Sequence, residues 1–130
     1  MFKNIFKKTY LMFNKVKVVH SIPGRIRLFI PSLDEFPEQM KKHEGYITAI
    51  IKLKNGINSI EYSYLTSKIL IGYDKAKLKE QDIVDWLNKI WKIIVDNEEV
   101  YQGMSVDEVD KNVKKFYEML KSELEGRINQ

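Results

Sequence analysis

Cysteine is absent from the 130-residue sequence, and proline and glycine are scarce, with three and six residues. The absence of cysteine excludes disulfides, thiolate catalysis and zinc sites built on cysteine. No apolar run approaches the roughly 20 residues that a membrane-spanning helix needs. The N-terminus also lacks the apolar core and small-residue cleavage site of a secretory signal. We therefore expect a cytoplasmic protein.

The composition is that of one globular domain, with 44% hydrophobic and 31% charged residues, which is enough for a core of its own. The charge is distributed unevenly along the chain. Residues 1–33 contain seven lysines and arginines and no acid, so the remaining 97 residues carry a net charge of −3. A basic end on an otherwise slightly acidic chain indicates a local anionic partner.

Hydrophobic periodicity predicts an α+β fold in three parts: a basic amphipathic segment at 1–14, a domain at 15–103 and an amphipathic helix at 104–130. The domain is predicted to have the order β-α-β-β-α-β. Its elements are a strand at 15–19 that resumes at 25–30 after a break at Pro23-Gly24, a helix at 37–54, a hairpin of strands at 57–64 and 68–73, a helix at 80–94 and a short strand near 99–102. Two crossovers and one hairpin give a ferredoxin-like antiparallel sheet with helices on one face.

The predicted core comes from two independent patterns, strand alternation and helical spacing. They select Ile26, Leu28, Ile60, Ile69, Ile71, Trp86, Leu87 and Ile90. In the C-terminal helix, Ser105 and Glu108 have the spacing of a capping box. The apolar residues that follow are spaced close to a heptad over about three heptads. They predict either self-association through this helix or packing on the chain's own sheet.

Residues 20–31, HSIPGRIRLFIP, resemble the H-x-x-P-G-R-x-R-x-x-x-P opening of a cysteine-less branch of heavy-metal-associated domains. Residues 55–60 and 66–74 resemble that family's second and third strands, and the resemblance covers about residues 15–95. It implies a ferredoxin-like fold and a setting in metal homeostasis. The implied partner is a metal-transporting P-type ATPase or the membrane of a bacterial iron-storage compartment, the ferrosome. The better-known branch carries Met-x-Cys-x-x-Cys after its first strand, whereas the equivalent stretch here, 32–36, has no cysteine for a thiolate metal relay.

Arg25, Arg27 and Phe29 are predicted on the strand face opposite Ile26 and Leu28. Two guanidinium groups about 7 Å apart on one strand can hold carboxylates or phosphates in a bidentate manner. We therefore interpret these three residues as a site for a partner or anion. The alternative is a solvated face on which the arginines pair with acids such as Glu61, or a face covered by the C-terminal helix.

The N-terminal segment has the pattern of an interfacial helix, with apolar side chains between lysines. The residues predicted to contact an anionic membrane surface are Phe2, Lys3, Phe6, Lys7 and Lys8. This would place the protein peripherally at the inner face of a membrane. The alternative is that the segment packs on the domain or frays.

His20, Asp34 and Glu35 are the candidate ligands for a metal site built from imidazole and oxygen. The alternative for Asp34 and Glu35 is a solvated loop before a helix N-terminus, where carboxylates are stabilised by the helix dipole. No cofactor is expected, and no catalytic motif such as G-x-S-x-G, a P-loop or H-E-x-x-H is present. We therefore do not expect an enzyme.

Strand 68–73 lacks the stacking aromatic residues of RNA-binding ferredoxin-like modules, so nucleic-acid binding is supported by charge alone. The sequence favours a non-enzymatic accessory protein of metal homeostasis, with iron as the first metal to consider. The alternatives are a stand-alone metal carrier with oxygen or nitrogen ligands and a basic nucleic-acid-binding module.

Overall fold

The computed structural model describes residues 17–30, 33–97, 99 and 103–128. The strands are β1 (Lys17–Ile22), β2 (Arg25–Phe29), β3 (Ile57–Ser63) and β4 (Lys68–Tyr73). They form one antiparallel sheet in the order β1-β2-β4-β3. Two 3-10 helices, Leu33–Glu35 and Glu38–His43, precede the α-helices α1 (Glu44–Ile51), α2 (Glu80–Asp96), α3 (Val106–Lys111) and α4 (Val113–Ile128).

β1 and β2 are the two strands of a hairpin, which corrects the prediction of one interrupted strand. Ile22 pairs with Arg25, so Pro23 and Gly24 alone form the loop. Gly24 has a φ of 91°, a conformation that favours glycine, and proline followed by such a glycine is typical of a type II turn. Pro23-Gly24 therefore reverses the chain instead of bending it.

The N-terminal strand β1 occupies the sheet edge that a C-terminal strand takes in the ferredoxin-like order. β2, β4 and β3 are arranged as the first three strands of that order would be, with α1 in the crossover from β2 to β3. The predicted strand near 99–102 lies mostly outside the described residues, and the edge of β2 already pairs with β1. The described elements therefore follow the order β-β-α-β-β-α, with two further helices after it.

The core lies between the sheet and the helices, on one face of the sheet. Ile26 and Leu28 are fully buried, opposite Ile71 and Ile69 of β4. Burying a side chain of this size contributes about 1.5–3 kcal/mol. The predicted core residues belong to one buried cluster, except Ile60, which is partly buried and packs against it.

The helix α4 completes the helical layer on the same side of the sheet as α1 and α2. Leu124 is fully buried in the core cluster, and Tyr117 and Leu120 pack against that cluster. The apolar stripe proposed for self-association is thus used within the fold, and α4 does not cover the other face of the sheet. Among the described residues, no helix is long and apolar enough to cross a membrane. The division of the chain at residues 14 and 103 stays a prediction.

Candidate functional site

The face of the sheet opposite the helices carries three rows of side chains that cross all four strands. The strand register gives these rows as Ile22, Arg25, Gly72 and Ser59; His20, Arg27, Leu70 and Glu61; and Lys17, Phe29, Lys68 and Ser63. We name this surface the open sheet face. Four lysines and arginines and one carboxylate lie on it, so its charge is positive.

Arg25 and Arg27 lie on the face opposite Ile26 and Leu28, as the sequence predicted, and both are exposed on the open sheet face. Glu61 lies in the same row as Arg27, but Leu70 lies between them, so two strand spacings, or about 10 Å, separate their backbones. Within the described part of the chain, no ion pair or side-chain hydrogen bond involves Arg25, Arg27 or Glu61. The guanidinium groups are therefore available to an external carboxylate or phosphate.

Apolar surface lies directly beside these cations. Phe29 and Leu70 are half-buried, and a shallow depression of about 330 Å³ runs from Arg27 past Leu70 to Lys68. Gly72 has no side chain, so the surface of the sheet is lower in the first row. A Cβ added at this position would lie 2.5 Å from the Ser59 Oγ. Guanidinium groups next to apolar side chains are typical of protein interfaces, in which arginine and aromatic residues are enriched.

Of the candidate metal ligands, His20 and Asp34 lie in different parts of the structure, and the side chain of Glu35 lies outside the described part. His20 lies on the open sheet face opposite Arg27, in a positive surrounding that disfavours a bound cation. The Asp34 carboxylate accepts a hydrogen bond from the Ser67 Oγ at 3.2 Å, and the Asp34 amide donates to the same oxygen at 3.3 Å. Asp34 therefore connects the segment after β2 to the turn between β3 and β4. Glu35 follows it in the same 3-10 helix. In residues 17–30, 33–97, 99 and 103–128, no group of three or more histidines and carboxylates could hold a metal ion.

The predicted membrane-surface residues Phe2, Lys3, Phe6, Lys7 and Lys8 lie outside the described residues. Their interaction with a membrane stays a prediction.

On the helical side, a polar cluster that the sequence analysis missed joins the second 3-10 helix to α3. The Asp110 carboxylate lies 2.5 Å from the His43 Nε2 and accepts hydrogen bonds from Lys42 and Gln39, both at 3.1 Å. Gln39 also donates to Asp107 at 2.8 Å. We name these five residues the latch. Hydrogen bonds from His43, Gln39 and Lys42 hold the pKa of Asp110 well below its usual range.

Beneath the latch lies an apolar pocket of about 310 Å³, which we name the helical pocket. Side chains from the second 3-10 helix, from the sheet and from each of the described helices α1 to α4 line it, including Met40, Tyr62, Ile47, Ile90, Val109 and Phe116. No sequence motif marks this pocket, because its walls come from segments that are distant along the chain.

Several polar atoms in the wall of the helical pocket are paired within the protein. The Tyr62 hydroxyl lies 3.0 Å from the Thr48 hydroxyl, and the Tyr64 hydroxyl donates to Glu44 at 2.9 Å. Burial raises the pKa of Tyr62 to about 12. Burial, together with the hydrogen bond to Glu44, also raises the pKa of Tyr64. Both tyrosine hydroxyls are therefore neutral over the whole physiological pH range.

The comparisons with known proteins give a family-level result. The family model described as heavy metal associated domain 2 matches residues 2–128. No curated protein and no solved structure matches the chain. The matched range contains the open sheet face, the latch and the helical pocket.

Proposed function

The chain belongs to the heavy metal associated domain 2 family, and we propose that it is a non-enzymatic accessory protein of metal handling that docks on an acidic partner. The family indicates a role that involves metal. The proposed docking surface is the open sheet face.

The observation that carries the proposal is the exposed pair Arg25 and Arg27 on a rigid strand. Both belong to the central strand β2, which pairs on both sides with other strands. Planar guanidinium groups held in this way can bind carboxylates in a bidentate manner, which lysine cannot do. The half-buried Phe29 and Leu70 beside them add the apolar contact that a protein partner supplies and a small anion does not.

The chemistry of the chain favours docking over metal coordination by the chain itself. The sequence has no cysteine, and no three histidines or carboxylates in the described segments come together as a ligand set. A role in metal handling is then exerted through a partner that holds or moves the metal. The resemblance of residues 20–31 supports a metal-transporting P-type ATPase or an iron-storage membrane as that partner. Iron is the first metal to test.

Residues 20–31 occupy two structural features, a hairpin turn and the open sheet face. Pro23 and Gly24 form the hairpin turn, while His20, Arg25 and Arg27 lie on the open sheet face. The turn therefore fixes where β2 begins and, with it, the positions of the two arginines along the strand. The segment combines a structural turn with the residues that we propose for docking.

Site-specific photocrosslinking in the native cell tests the proposal. The photoreactive residue p-benzoylphenylalanine is introduced at Ser63, which is exposed at the end of β3 in the row of Phe29 and Lys68. The control position is Glu118, which is exposed on α4, away from that row. We expect Ser63 to crosslink to a metal-transporting membrane protein and Glu118 not to do so.

The dependence on guanidinium geometry is tested by repeating the crosslinking with Arg25→Lys plus Arg27→Lys. This double variant keeps the charge and loses the planar forks, so the crosslinked product should decrease strongly at equal protein abundance. Equal labelling from Ser63 and Glu118, or an undiminished product in the double variant, would contradict docking through the open sheet face. A product that contains only nucleic acid would instead support the nucleic-acid-binding alternative.

A further inference from the structure

We propose that the helical pocket binds a single hydrocarbon chain, such as the alkyl chain of a fatty alcohol, a fatty acid or a lipid, which enters beneath α3. This site lies on the other side of the sheet from the open sheet face, so the inference stands independently of the proposed docking function.

The chemistry of the wall selects the class of ligand. The pocket volume of about 310 Å³ is near the lower end of the range for ligand pockets, about 300 Å³. The hydroxyls of Tyr62 and Tyr64 are engaged by Thr48 and Glu44, and Asn97 donates to Glu123 at 2.9 Å. A ligand whose polar groups bind these atoms would have to break one of these bonds, whereas a hydrocarbon chain needs none of them and matches the mainly apolar wall.

The side chains of the wall suit a flexible apolar ligand. Phe36 stacks on Tyr64 with ring centroids 5.9 Å apart, and Tyr46 contacts Tyr117 at 5.0 Å. Both aromatic pairs line the pocket, together with Met40 and Met119. Methionine side chains are unbranched and adapt to irregular apolar ligands, while the two ring pairs add aromatic surface that a hydrocarbon chain can contact.

The route of entry is indicated by the way α3 is attached. Val109 on α3 is buried, with 4% of its surface exposed, yet it is not a member of the contiguous core cluster. Its side chain lines the helical pocket instead. On the outer side, α3 is held by the latch through Asp107 and Asp110. The hydrogen bonds from Gln39 and Lys42 are exposed, so water can replace them, and only the His43–Asp110 contact is partly buried. In the proposed entry, α3 is therefore the part of the wall that moves aside.

The test uses the full chain and N-phenyl-1-naphthylamine, an uncharged dye whose fluorescence rises in apolar surroundings. We expect saturable binding of the dye and its displacement by dodecanol. Dodecanoate is expected to displace it as well, because the chain and not the head group is recognised. Absence of saturable binding, or displacement by dodecanoate and not by dodecanol, would overturn the proposal.

Valine-to-phenylalanine substitutions decide whether the dye occupies this pocket. Val109→Phe and Val113→Phe place a ring into the pocket and should weaken binding about tenfold or more, equivalent to about 1.4 kcal/mol. Val106→Phe is the matched control, since Val106 lies on α3 but does not line the pocket. Val109→Phe and Val113→Phe are both prepared, so that dye binding can be measured on one of them if the other fails to fold. Equal affinities for Val106→Phe and the folded filling variants would overturn the assignment.

The source of the chain is distinguished by incubation with phosphatidylcholine vesicles, separation of the protein and extraction of bound lipid. Phospholipid retained by the wild type and not by Val109→Phe would identify a chain withdrawn from a bilayer. Displacement of the dye by dodecanol, without any phospholipid retained from the vesicles, would identify free single-chain amphiphiles as the source. Retention of equal amounts of phospholipid by both proteins would contradict binding in the helical pocket.

Discussion

At the scale of single residues, the surroundings fix the charge of each ionisable group near the helical pocket. Asp110 receives hydrogen bonds from three side chains that favour its charged form, so its pKa is lowered. Tyr62 is withdrawn from water, which disfavours the charged form and raises the pKa of its hydroxyl. At neutral pH the latch therefore carries a carboxylate, while Tyr62 in the pocket wall beneath it stays uncharged.

The lowered pKa of Asp110 makes the stabilising effect of the latch depend on pH. The unfolded chain binds a proton at this carboxyl near its ordinary pKa of about 3.9, whereas the folded protein resists protonation. The stabilisation is thus fully present above about pH 4 and is lost as the pH falls toward the lowered pKa of the folded state. We expect Asp110→Asn to be less stable than the wild type at pH 7 and the difference to shrink below about pH 4.

Urea unfolding of both proteins at pH 7, 5 and 3 measures this difference. Asp96→Asn is the control for removing a negative charge, since Asp96 is exposed at the end of α2. A difference between Asp110→Asn and the wild type that stays constant, or grows, at pH 3 would show that the latch carboxylate is not stabilised in its charged form.

At the scale of elements, the β1–β2 hairpin determines how the open sheet face is presented. The turn is tied to the sheet because the Tyr73 amide donates to the Gly24 carbonyl at 2.9 Å. β1 itself is an edge strand, and Val18, Val19 and Ile22 are 40–48% exposed. The strand is thus held in place mainly by its pairing with β2 and by the geometry of the turn.

Replacing Gly24 by alanine should therefore destabilise the hairpin. A side chain at a φ of 91° is strained, and the added Cβ would lie 3.3 Å from the Tyr73 carbonyl oxygen. We expect a loss of about 1–3 kcal/mol in the free energy of unfolding. Gly45→Ala is the matched control, because a Cβ added to this residue of α1 would have no atom within 4 Å, and it should be neutral or stabilise by up to about 1 kcal/mol. Equal urea midpoints for Gly24→Ala and the wild type would show that the turn is not constrained in this way.

Local patterns in the sequence were sufficient to predict the structure where the burial of side chains repeats regularly along a strand or a helix. In β4 the alternation correctly predicted Ile69 and Ile71 as buried, and in β2 it correctly placed Arg25 and Arg27 on the face opposite Ile26 and Leu28. The capping box was also confirmed, because the Ser105 Oγ accepts from the Glu108 amide at 3.1 Å.

The same patterns were insufficient where distant segments decide the outcome. Pro23-Gly24 is compatible with a bend and with a reversal, and only the pairing of β1 with β2 selects the reversal. The predicted helix at 37–54 is a 3-10 helix followed by the shorter α1, and the predicted C-terminal helix is interrupted at Asn112. The His43–Asp110 contact spans 67 residues of sequence, so no local periodicity could have indicated the latch or the pocket beneath it.

At the scale of the whole molecule, the sheet separates two surfaces of different chemistry. The open sheet face presents Arg25 and Arg27 beside apolar side chains, and the helical side contains the latch and the helical pocket. A protein bound on the first surface and a hydrocarbon chain bound in the second would not compete for the same residues. The central claim is that the family's role in metal handling is exerted here through the arginines of the open sheet face.

The most direct test of that claim is the metal content of cells, measured by inductively coupled plasma mass spectrometry with iron determined first. Four strains are compared at equal protein abundance where the protein is present: wild type, a deletion, Arg25→Lys plus Arg27→Lys, and Lys114→Arg plus Lys115→Arg. The last is the matched control, because Lys114 and Lys115 lie on α4, away from the open sheet face. The account predicts that the Arg25/Arg27 double variant has the metal content of the deletion strain and that the control matches the wild type. A deletion strain with altered metal content beside an Arg25/Arg27 double variant that matches the wild type would contradict it.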